Sequence, residues 1–552
     1  MPQTSAITTR ARRFLRSVRR QSAKPWVTAS RFYRGSSYVF NLIVWSRIAA
    51  GRTRHGSIEL PPEILLKKGV TALPPHLTVS PAAQGEPFAA GFAEVYALLF
   101  ANLQKPGILS RHYHARPGPA FHGVYLWDSA FIAQVWKCWS SEIAAEVILS
   151  VVHLRAEDRL QHVVSEFTQS QYTQPPLIAW SAVETARWMS PEARRAFFQT
   201  IYEPLARYHD WLCDHRQLAN GLFFWEHPYE SGVENAPRFG SRDERVYRDT
   251  RRLAAPDLCS YIILQLEALE AMATALDRPT DARRHAQDAA VLQAAVEKYL
   301  WHEEDGLYFD RDVQTGDFVR CRSIASLMPL WAGVPSSGRA ERLRATIVDP
   351  EDFGTLLPLP SVSRRDPDFE KDMWRGPVWI NTAYGILQGL LRYGFDEDAG
   401  ALAYRLCEGV YRVFETERRV YEFYDPEAFH TRDLCRKRGN RWKALTLGSG
   451  PQTDFVGWSG LVNTLLVEVL LGLTIDGDSV ALHPRFPPEA QGQTFTLNLP
   501  AQNLSFALTR AGDGSTQGTF QNGSARQKFR IDAGGSRCFP SALKHQSCDT
   551  AI

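Results

Sequence analysis

Between residues 88 and 471, apolar side chains recur at three- and four-residue spacing, the pattern of helices that bury one face. The spacing predicts about twelve helices, over 88–103, 129–139, 142–154, 177–188, 191–215, 256–276, 279–300, 323–331, 338–347, 376–393, 397–414 and 457–471. Some carry their own start signals: Ser190-Pro191 opens one, and Thr280-Asp281 stands at the head of another. The connections at 104–127, 216–255, 350–375 and 415–456 are long and carry Trp, His, Arg, Asp and Glu. Long ordered loops on a helical scaffold are where function usually sits. After Gly472 the period shortens to two. Residues 473–482, 494–499, 504–508, 518–521 and 527–531 alternate apolar and polar, with Asp-Gly, Gly-Asp-Gly and Asn-Gly turns between them. The pattern divides the chain into an N-terminal arm (1–58), a helical body (59–472), a small β-rich domain (473–540) and a tail (541–552). No repeat with a fixed sequence signature runs through it.

Composition narrows the class. At 552 residues, 44% hydrophobic and 22% charged, the chain has ordinary globular values and length enough for a sizeable core. Disorder, collagen and small disulfide scaffolds are excluded as its main description. The net charge of +3 hides an asymmetry: residues 1–58 hold 12 Lys/Arg and no acid, which leaves 51 bases against 60 acids in the rest. An acidic body offers no basic face, so no nucleic-acid partner is expected. The eight cysteines form no CxxC and no zinc spacing, and most lie in apolar helical stretches, as reduced buried thiols would. No run reaches the roughly 18 apolar residues of a membrane span. Arg19-Arg20 lacks the adjacent apolar stretch of an export signal, so the expected location is cytoplasmic and the arm reads as a mobile tail. The 15 Trp either fill a large core or line a sugar-stacking cleft.

Four loop clusters carry candidate chemistry. In Tyr125-Leu-Trp-Asp-Ser-Ala-Phe131, Asp128 beside Trp127 either caps a helix or bonds sugar hydroxyls next to an aromatic platform. In 170–180, Pro175-Pro176 fits a first helical turn, and Gln174 projects where that helix begins. In His227-Pro-Tyr-Glu-Ser-Gly-Val-Glu-Asn-Ala-Pro-Arg-Phe239, Glu230 and Glu234 sit in a Gly/Pro/Asn loop, off any solvated helix face. The fourth cluster pairs Met373-Trp-Arg-Gly-Pro-Val-Trp-Ile-Asn381 with Tyr421-Glu-Phe-Tyr-Asp-Pro-Glu427. Arg375 between Trp374 and Trp379 is placed to stack and donate at once. Glu422, flanked by aromatics, has the partly desolvated setting in which carboxylates acquire catalytic pKa values.

In this order, the clusters resemble glycoside hydrolase family 63, in particular its bacterial mannosylglycerate- and glucosylglycerate-hydrolase-like members. Trp-Asp-Ser-Ala-Phe, Gln-Pro-Pro, Glu-Ser-Gly-x-(acid)-Asn-x-Pro-Arg, Trp-Arg-Gly-Pro-Val-Trp, Tyr-Glu-x-Tyr-Asp-Pro and Phe-x-Gly-Trp-Ser all have counterparts there, over about residues 88–472. The resemblance implies an all-α (α/α)6 barrel of six inner and six outer helices, here with a C-terminal β appendix. It also implies an inverting, exo-acting α-glycosidase that releases a terminal glucose or mannose. Such chemistry needs a protonated carboxyl for the leaving oxygen and an ionised one to activate water, roughly 6.5–9.5 Å apart. By resemblance Glu422 matches the general base and Glu234 the general acid, although the family usually has Asp at that second position. Glu230 is then a neighbour and a fallback acid. Asp128 and Gln174 match sugar-hydroxyl partners, and Trp127, Trp374 and Trp379 match aromatic pocket residues. Arg375 binds substrate or supports the site, and Trp458 closes the wall or lies in the core. Met373 stands where glycerate-glycoside members have Tyr. Arg242, Arg245, Tyr247 and Arg248 are basic and phenolic candidates for an acidic aglycone. Trehalases and glucoamylases share parts of this pattern, but their surrounding signatures do not match. The carbohydrate substrate is the one partner the chemistry requires, and it requires no metal or organic cofactor. Two other readings stay open: a catalytically impaired carbohydrate-binding protein on the same fold, motivated by Glu234, and a surface-associated assembly protein in which the basic arm matters.

Overall fold

Helices buried almost all round alternate along the chain with helices that keep an exposed face. The computed structural model describes residues 60–166, 168–240, 248–438, 447–477 and 479–540. Within it the series runs α1 (Ala82–Asn102), α2 (Leu126–Trp136), α3 (Ser141–His153), α4 (Ile178–Ala186), α5 (Pro191–Arg216), α6 (Pro256–Ala275), α7 (Pro279–Tyr299), α8 (Met328–Trp331), α9 (Ser337–Val348), α10 (Ile380–Arg392), α11 (Asp396–Glu417) and α12 (Leu461–Leu470). Short helices at Pro62–Lys67 and Pro228–Ser231 stand outside this series. The even-numbered members are the buried ones. All eleven residues of α2 are buried, as expected of a helix whose apolar positions run all round it. α5 and α7 instead carry charged outer faces. Ser140 and Ser190 cap α3 and α5 by accepting from the amides of Ile143 and Ala193, and Pro191, Pro256 and Pro279 open their helices.

Each even helix packs on the next: α2 on α4, α4 on α6, α6 on α8, α8 on α10, α10 on α12, and α12 back on α2. Aromatic rings fill the middle. Trp180 of α4 meets Trp331 of α8 edge-on at 5.1 Å and Tyr384 of α10 at 5.9 Å. α10 approaches this closely because position 385 is glycine: a Cβ there would come within 2.6 Å of the Trp331 ring. A buried polar network ties three of the helices together. Gln134 of α2 donates to the Ser181 hydroxyl of α4 at 2.7 Å, and Lys137 bonds Gln134 at 2.8 Å and Glu468 of α12 at 2.6 Å.

The departures from the apolar pattern have local causes. α1 starts six residues before the spacing predicts, because its first turns pack on the strand Gly85 touches, and a Cβ at Gly85 would meet the Val79 carbonyl at 2.3 Å. α2 starts three residues early, so Asp128 is inside the first turn and does not cap it; the N-cap is Tyr125, with no side-chain bond. α10 starts four residues late, because Val378 exchanges both backbone bonds with Tyr424, at 2.9 and 3.0 Å, and stays extended.

The last part of the chain is strand-rich, as the alternation predicts, but its sheets recruit partners the alternation does not reveal. β1 (His76–Ser80), preceding α1, joins β4 (Thr494–Leu499), β5 (Leu504–Arg510), β6 (Thr516–Asn522) and β7 (Ala525–Ile531) in an antiparallel sheet of order β1-β4-β5-β6-β7. Its register runs from His76↔Asn498 to Ser80↔Thr494. β2 (Leu473–Asp476), β3 (Ser479–Leu482) and β8 (Arg537–Pro540) form a second sheet. The sheet built from residues 473–540 is therefore completed by a strand from the other side of the helical body. Of the described cysteines, all are free; Cys138, Cys259 and Cys407 are buried, whereas Cys538 is exposed, so burial is less general than expected. Among the described residues one helix, α6, is long and apolar enough to cross a membrane, and 72% of its apolar window is buried inside the protein. The arm at 1–58 and the tail at 541–552 lie outside the described residues.

Arg238 ties the 227–239 loop to this framework. Its guanidinium, 1% exposed, grips both oxygens of Asp257 at the start of α6 and lies 3.2 Å from Asp310. Removing one partner of a buried ion pair leaves uncompensated charge. Arg238→Met should therefore lower unfolding free energy by about 3–5 kcal/mol in a denaturant titration. A loss below about 1 kcal/mol, the range of exposed pairs, would show that this arginine does not anchor the loop.

Candidate active site

The four loop clusters meet at one end of the buried helices, and the contacts that join them form a chain. Trp127 and Asp128 enter on the first turn of α2. The amide of Trp127 is one of the donors a helix start leaves unsatisfied, and Gln174 supplies its acceptor, Oε1, at 3.2 Å. Gln174 thus ties the 170–176 loop to α2, and its carbonyl oxygen is spent on backbone. Gly232, at φ +74°, lies against the Trp127 ring so closely that a Cβ would come within 2.2 Å. That contact brings the following Glu234-Asn235 turn to the site. Asn235 then clamps the next loop: its Oδ1 accepts from the Trp374 amide at 3.0 Å, and its Nδ2 donates to the Asp372 carbonyl at 3.3 Å.

Tryptophans wall the site. Trp374 and Trp379 stack face to face at 3.7 Å; Trp127 lies 6.2 Å from Trp374 and 5.6 Å from Trp458. The Trp458 indole donates to the Glu422 carbonyl at 3.0 Å. Two expectations change here. Trp379 has no exposed surface and its indole bonds the Met373 carbonyl at 3.0 Å, so it backs Trp374 and does not face a ligand. Arg375 is not sandwiched between the two rings, which stack on each other. Its guanidinium bonds Glu370 at 3.3 Å, Asp368 at 3.2 Å and the Asn235 carbonyl at 3.4 Å, so it braces the loops that hold the site. Met373 adopts φ +52°, a region a bulky side chain seldom occupies, and the strain falls immediately before Trp374.

The carboxylates differ sharply in their partners. Glu230 is fully buried, bonds both arms of Arg216 at 2.9 and 2.7 Å, and accepts from the amides of Thr173 and Glu226. All of its acceptor capacity goes to structure, which removes the fallback acid. Glu422, 2% exposed, is gripped by both nitrogens of Arg436 and accepts from the Gln452 amide at 3.3 Å. Glu234, 14% exposed, pairs with Lys437 at 3.0 Å. Two consecutive cations therefore hold the two acids that stand on different loops. Arg436 and Lys437 were not singled out by sequence reasoning. Their signal was the Arg-Lys-Arg run at 436–438 in a body that is otherwise acidic, a pattern more often a solvated face.

Asp128 is 3% exposed. Burial pushes its carboxyl up to about 8, opposed by a bond from its own amide and reinforced by the charge of Glu422. A neutral Asp128 is a hydrogen-bond donor at neutral pH. The indole N–H of Trp127 is also buried and unpartnered. Arg248 is exposed, and Arg242, Arg245 and Tyr247 lie outside the described residues. Ligand atoms of Asp425, His430 and Asp433 lie within 4.8 Å of one another, but Asp425 already pairs with Lys371 at 3.0 Å, which lessens its attraction for a cation. A surface cavity between α5, α6 and α7, lined by His209, Cys213, Phe223 and Leu292 among others, contains none of the site residues.

The Asp128 shift has a consequence for stability. Between about pH 4 and 8 the folded chain holds a proton there that the unfolded chain has released, so this group makes stability fall as pH rises. Asp128→Asn keeps the neutral shape and removes the titration. The melting temperature of the parent protein should drop relative to the variant as pH is raised from about 5 to 8. Parallel curves would mean that Asp128 is already ionised in the fold.

Comparison with known proteins shows the family of the chain. The family model of the mannosylglycerate hydrolase MGH1-like glycoside hydrolase domain matches residues 122–434, more than half of the chain. A mannosylglycerate hydrolase of Thermus thermophilus is 29% identical over 380 residues, covering 55% of this chain and 90% of that protein. One from Rubrobacter radiotolerans is 24% identical over 442 residues, covering 65% and 93%. The crystal structure of a GH63 mannosylglycerate hydrolase from Thermus thermophilus in complex with glucose superposes with a TM-score of 0.54 at 25% identity, covering 67% of this chain and 98% of that one. The chain belongs to the MGH1-like glycoside hydrolases of glycoside hydrolase family 63 and is a glycosidase.

Proposed function

We propose that the chain is an inverting, exo-acting α-glycosidase built on an (α/α)6 barrel, and that it releases a terminal α-linked glucose or mannose from a small glycoside. The closed cycle of contacts among the six even-numbered helices, with the odd-numbered ones outside, supports the barrel. In this division residues 59–472 make the barrel and 473–540 a small β-rich domain, to which β1 contributes an edge strand. The observation that carries the function is the pair of acids on separate loops, Glu234 and Glu422, brought to adjacent residues of one segment by Lys437 and Arg436.

The chemistry follows from their settings. A carboxylate held by a bidentate guanidinium is ionised, as the base that takes a proton from water must be. Glu422 fills that role. The more exposed Glu234 protonates the leaving oxygen, and water attacks the anomeric carbon from the face opposite the departing aglycone. Asp128 and the Trp127 indole bond sugar hydroxyls, Trp374 and Trp127 pack the ring, Trp458 closes the wall beside Glu422, and Arg375 and Gln174 position those groups. The printed names of the relatives favour glyceric acid as the aglycone. No step calls for a metal or organic cofactor. A second reading, sugar binding without turnover, draws on the Lys437–Glu234 pair: an acid neutralised by an ammonium is not yet a proton donor.

Sugar release followed by proton NMR tests this against α-glucosides and α-mannosides, including glycerate glycosides. The β-anomer should appear first. Glu422→Gln should retain sugar binding and lose about 10²–10⁴-fold in turnover. Glu234→Gln should fail most on poor leaving groups and much less on α-glycosyl fluorides, which need little protonation. Initial release of the α-anomer, or equal mild losses in both variants, would overturn the assignment. Binding with no release across the panel would select the second reading.

A further inference from the structure

We infer that the outer face of the five-stranded sheet docks the protein on an anionic lipid bilayer, with Arg526 and Lys528 of the edge strand β7 as its main contacts. Strand alternation sorts the residues of this sheet onto two faces. Leu77 and Val79 of β1, Phe495 and Leu497 of β4, and Phe506 and Leu508 of β5 are buried on the inner one. The residues between them line up in three rows that cross all five strands: His76 to Arg526, Thr78 to Lys528, and Ser80 to Arg530. The nine positions inside the rows are Thr, Ser, Asn, Gln and one Ala. No position in the rows is acidic, and none is buried.

The acidic total of the body hides this basic strip. Elsewhere on the surface arginines reach an acid: Arg194 pairs with Asp476, Arg195 with Asp277 and Arg207 with Asp158. Residues 494–540 hold five Lys/Arg against two acids. Both acids, Asp513 and Asp532, face Arg530, at 2.6 and 3.7 Å. Arg526 and Lys528, both exposed, have no counter-charge among the described residues. Cations two residues apart on a strand stand about 7 Å from one another, within the screening length of physiological salt, so they act as one patch. Charge on an edge strand also discourages pairing between copies. That role does not call for an acid-free face beside the edge.

The sequence before the sheet favours a bilayer over other anionic partners. Residues 1–58, with 12 Lys/Arg and no acid, precede β1, the strand at which all three rows begin. Within them residues 38–45 read Tyr-Val-Phe-Asn-Leu-Ile-Val-Trp, between Arg34 and Arg47. That run is too short to span a membrane, but bases around Trp, Phe and Leu are the composition that a bilayer interface binds. A soluble polysaccharide or nucleic acid offers the negative charge and nothing for the apolar run. Anionic headgroups offer charge to Arg526 and Lys528, and their phosphate oxygens accept from the hydroxyls and amides of the rows.

The test is co-sedimentation of the full chain with vesicles of phosphatidylcholine alone, and of phosphatidylcholine and phosphatidylglycerol in equal parts. The protein should pellet with the anionic vesicles only, and salt should release it. Arg526→Gln and Lys528→Gln should each weaken the partition about fivefold, and the double variant roughly 25-fold. Lys528→Arg should bind as the parent does. A second double variant, Arg195→Gln with Arg207→Gln, removes the same charge from α5 and should bind close to the parent, and melting curves report the folding of each protein. Unchanged partition of the folded Arg526/Lys528 double variant overturns the inference, because residues 1–58 would then do the binding alone. Equal loss in the α5 variant overturns it too, because net charge would then suffice. Equal sedimentation with neutral vesicles, no sedimentation with either kind, or binding only to a soluble polyanion such as alginate also overturns it. The glycosidase reading stands under every one of these results.

Discussion

Charged groups on irregular loops cannot be buried singly, and this chain meets that constraint with basic side chains that reach across its loops. Arg216 takes Glu230, Arg238 takes Asp257 and Asp310, Arg375 takes Glu370 and Asp368, Lys371 takes Asp425, Arg436 takes Glu422 and Lys437 takes Glu234. Most of these pairs join residues far apart in sequence or on opposite sides of a turn. An ion pair of this kind contributes little net stability against an apolar replacement, but losing one partner is expensive. Its effect is to specify: each loop has one arrangement in which every buried charge is matched. Loops without regular hydrogen bonding are thereby held in one arrangement.

The helices supply what the loops lack. A ring of buried helices closed on itself has no free apolar face, so its interior is filled by side chains: Trp180, Trp331 and Tyr384 meet edge to face across it. One polar layer, Gln134, Lys137, Ser181 and Glu468, is hydrogen-bonded and ion-paired across three helices. Chemistry is thereby confined to the ends, where helices give way to loops. There a second set of tryptophans, Trp127, Trp374 and Trp458, stands around the acids. The same residue type thus serves as packing in one layer and as wall in the next, which accounts for part of the high tryptophan count.

Much of the candidate site was legible in the sequence as residues the structure brings together, and the parts that were not share a physical reason. Trp127-Asp128, Glu234-Asn235, Trp374-Arg375 and Glu422 stand out because acids and tryptophans in Gly/Pro-rich loops have no explanation in helix or strand propensity. Their roles were less legible than their presence. Arg375 looked like a stacking residue because two tryptophans flank it, yet sequence neighbours do not choose one another as packing partners, and its charge went to Asp368 and Glu370. Glu230 and Glu234 are four residues apart and of one chemical type. Burial separates them: one is consumed by Arg216, and the other stays partly open to solvent. Arg436 and Lys437 escaped notice because a run of cations reads as surface until its counter-charges are located.

The sequence by itself determined the order of the long helices and the change from helix to strand after Gly472, because hydrophobic period and turn chemistry act over a few residues, and its loop motifs carried the resemblance to the family. Tertiary structure decided what depends on distance across the chain. It set the early start of α2 that carries Asp128 into the first turn, the late start of α10 held off by Tyr424, and the recruitment of β1 to a sheet more than four hundred residues away. It also decided which carboxylate faces which cation. Electrostatic pairing and strand register are set by what meets in space, and the local pattern carries no record of it.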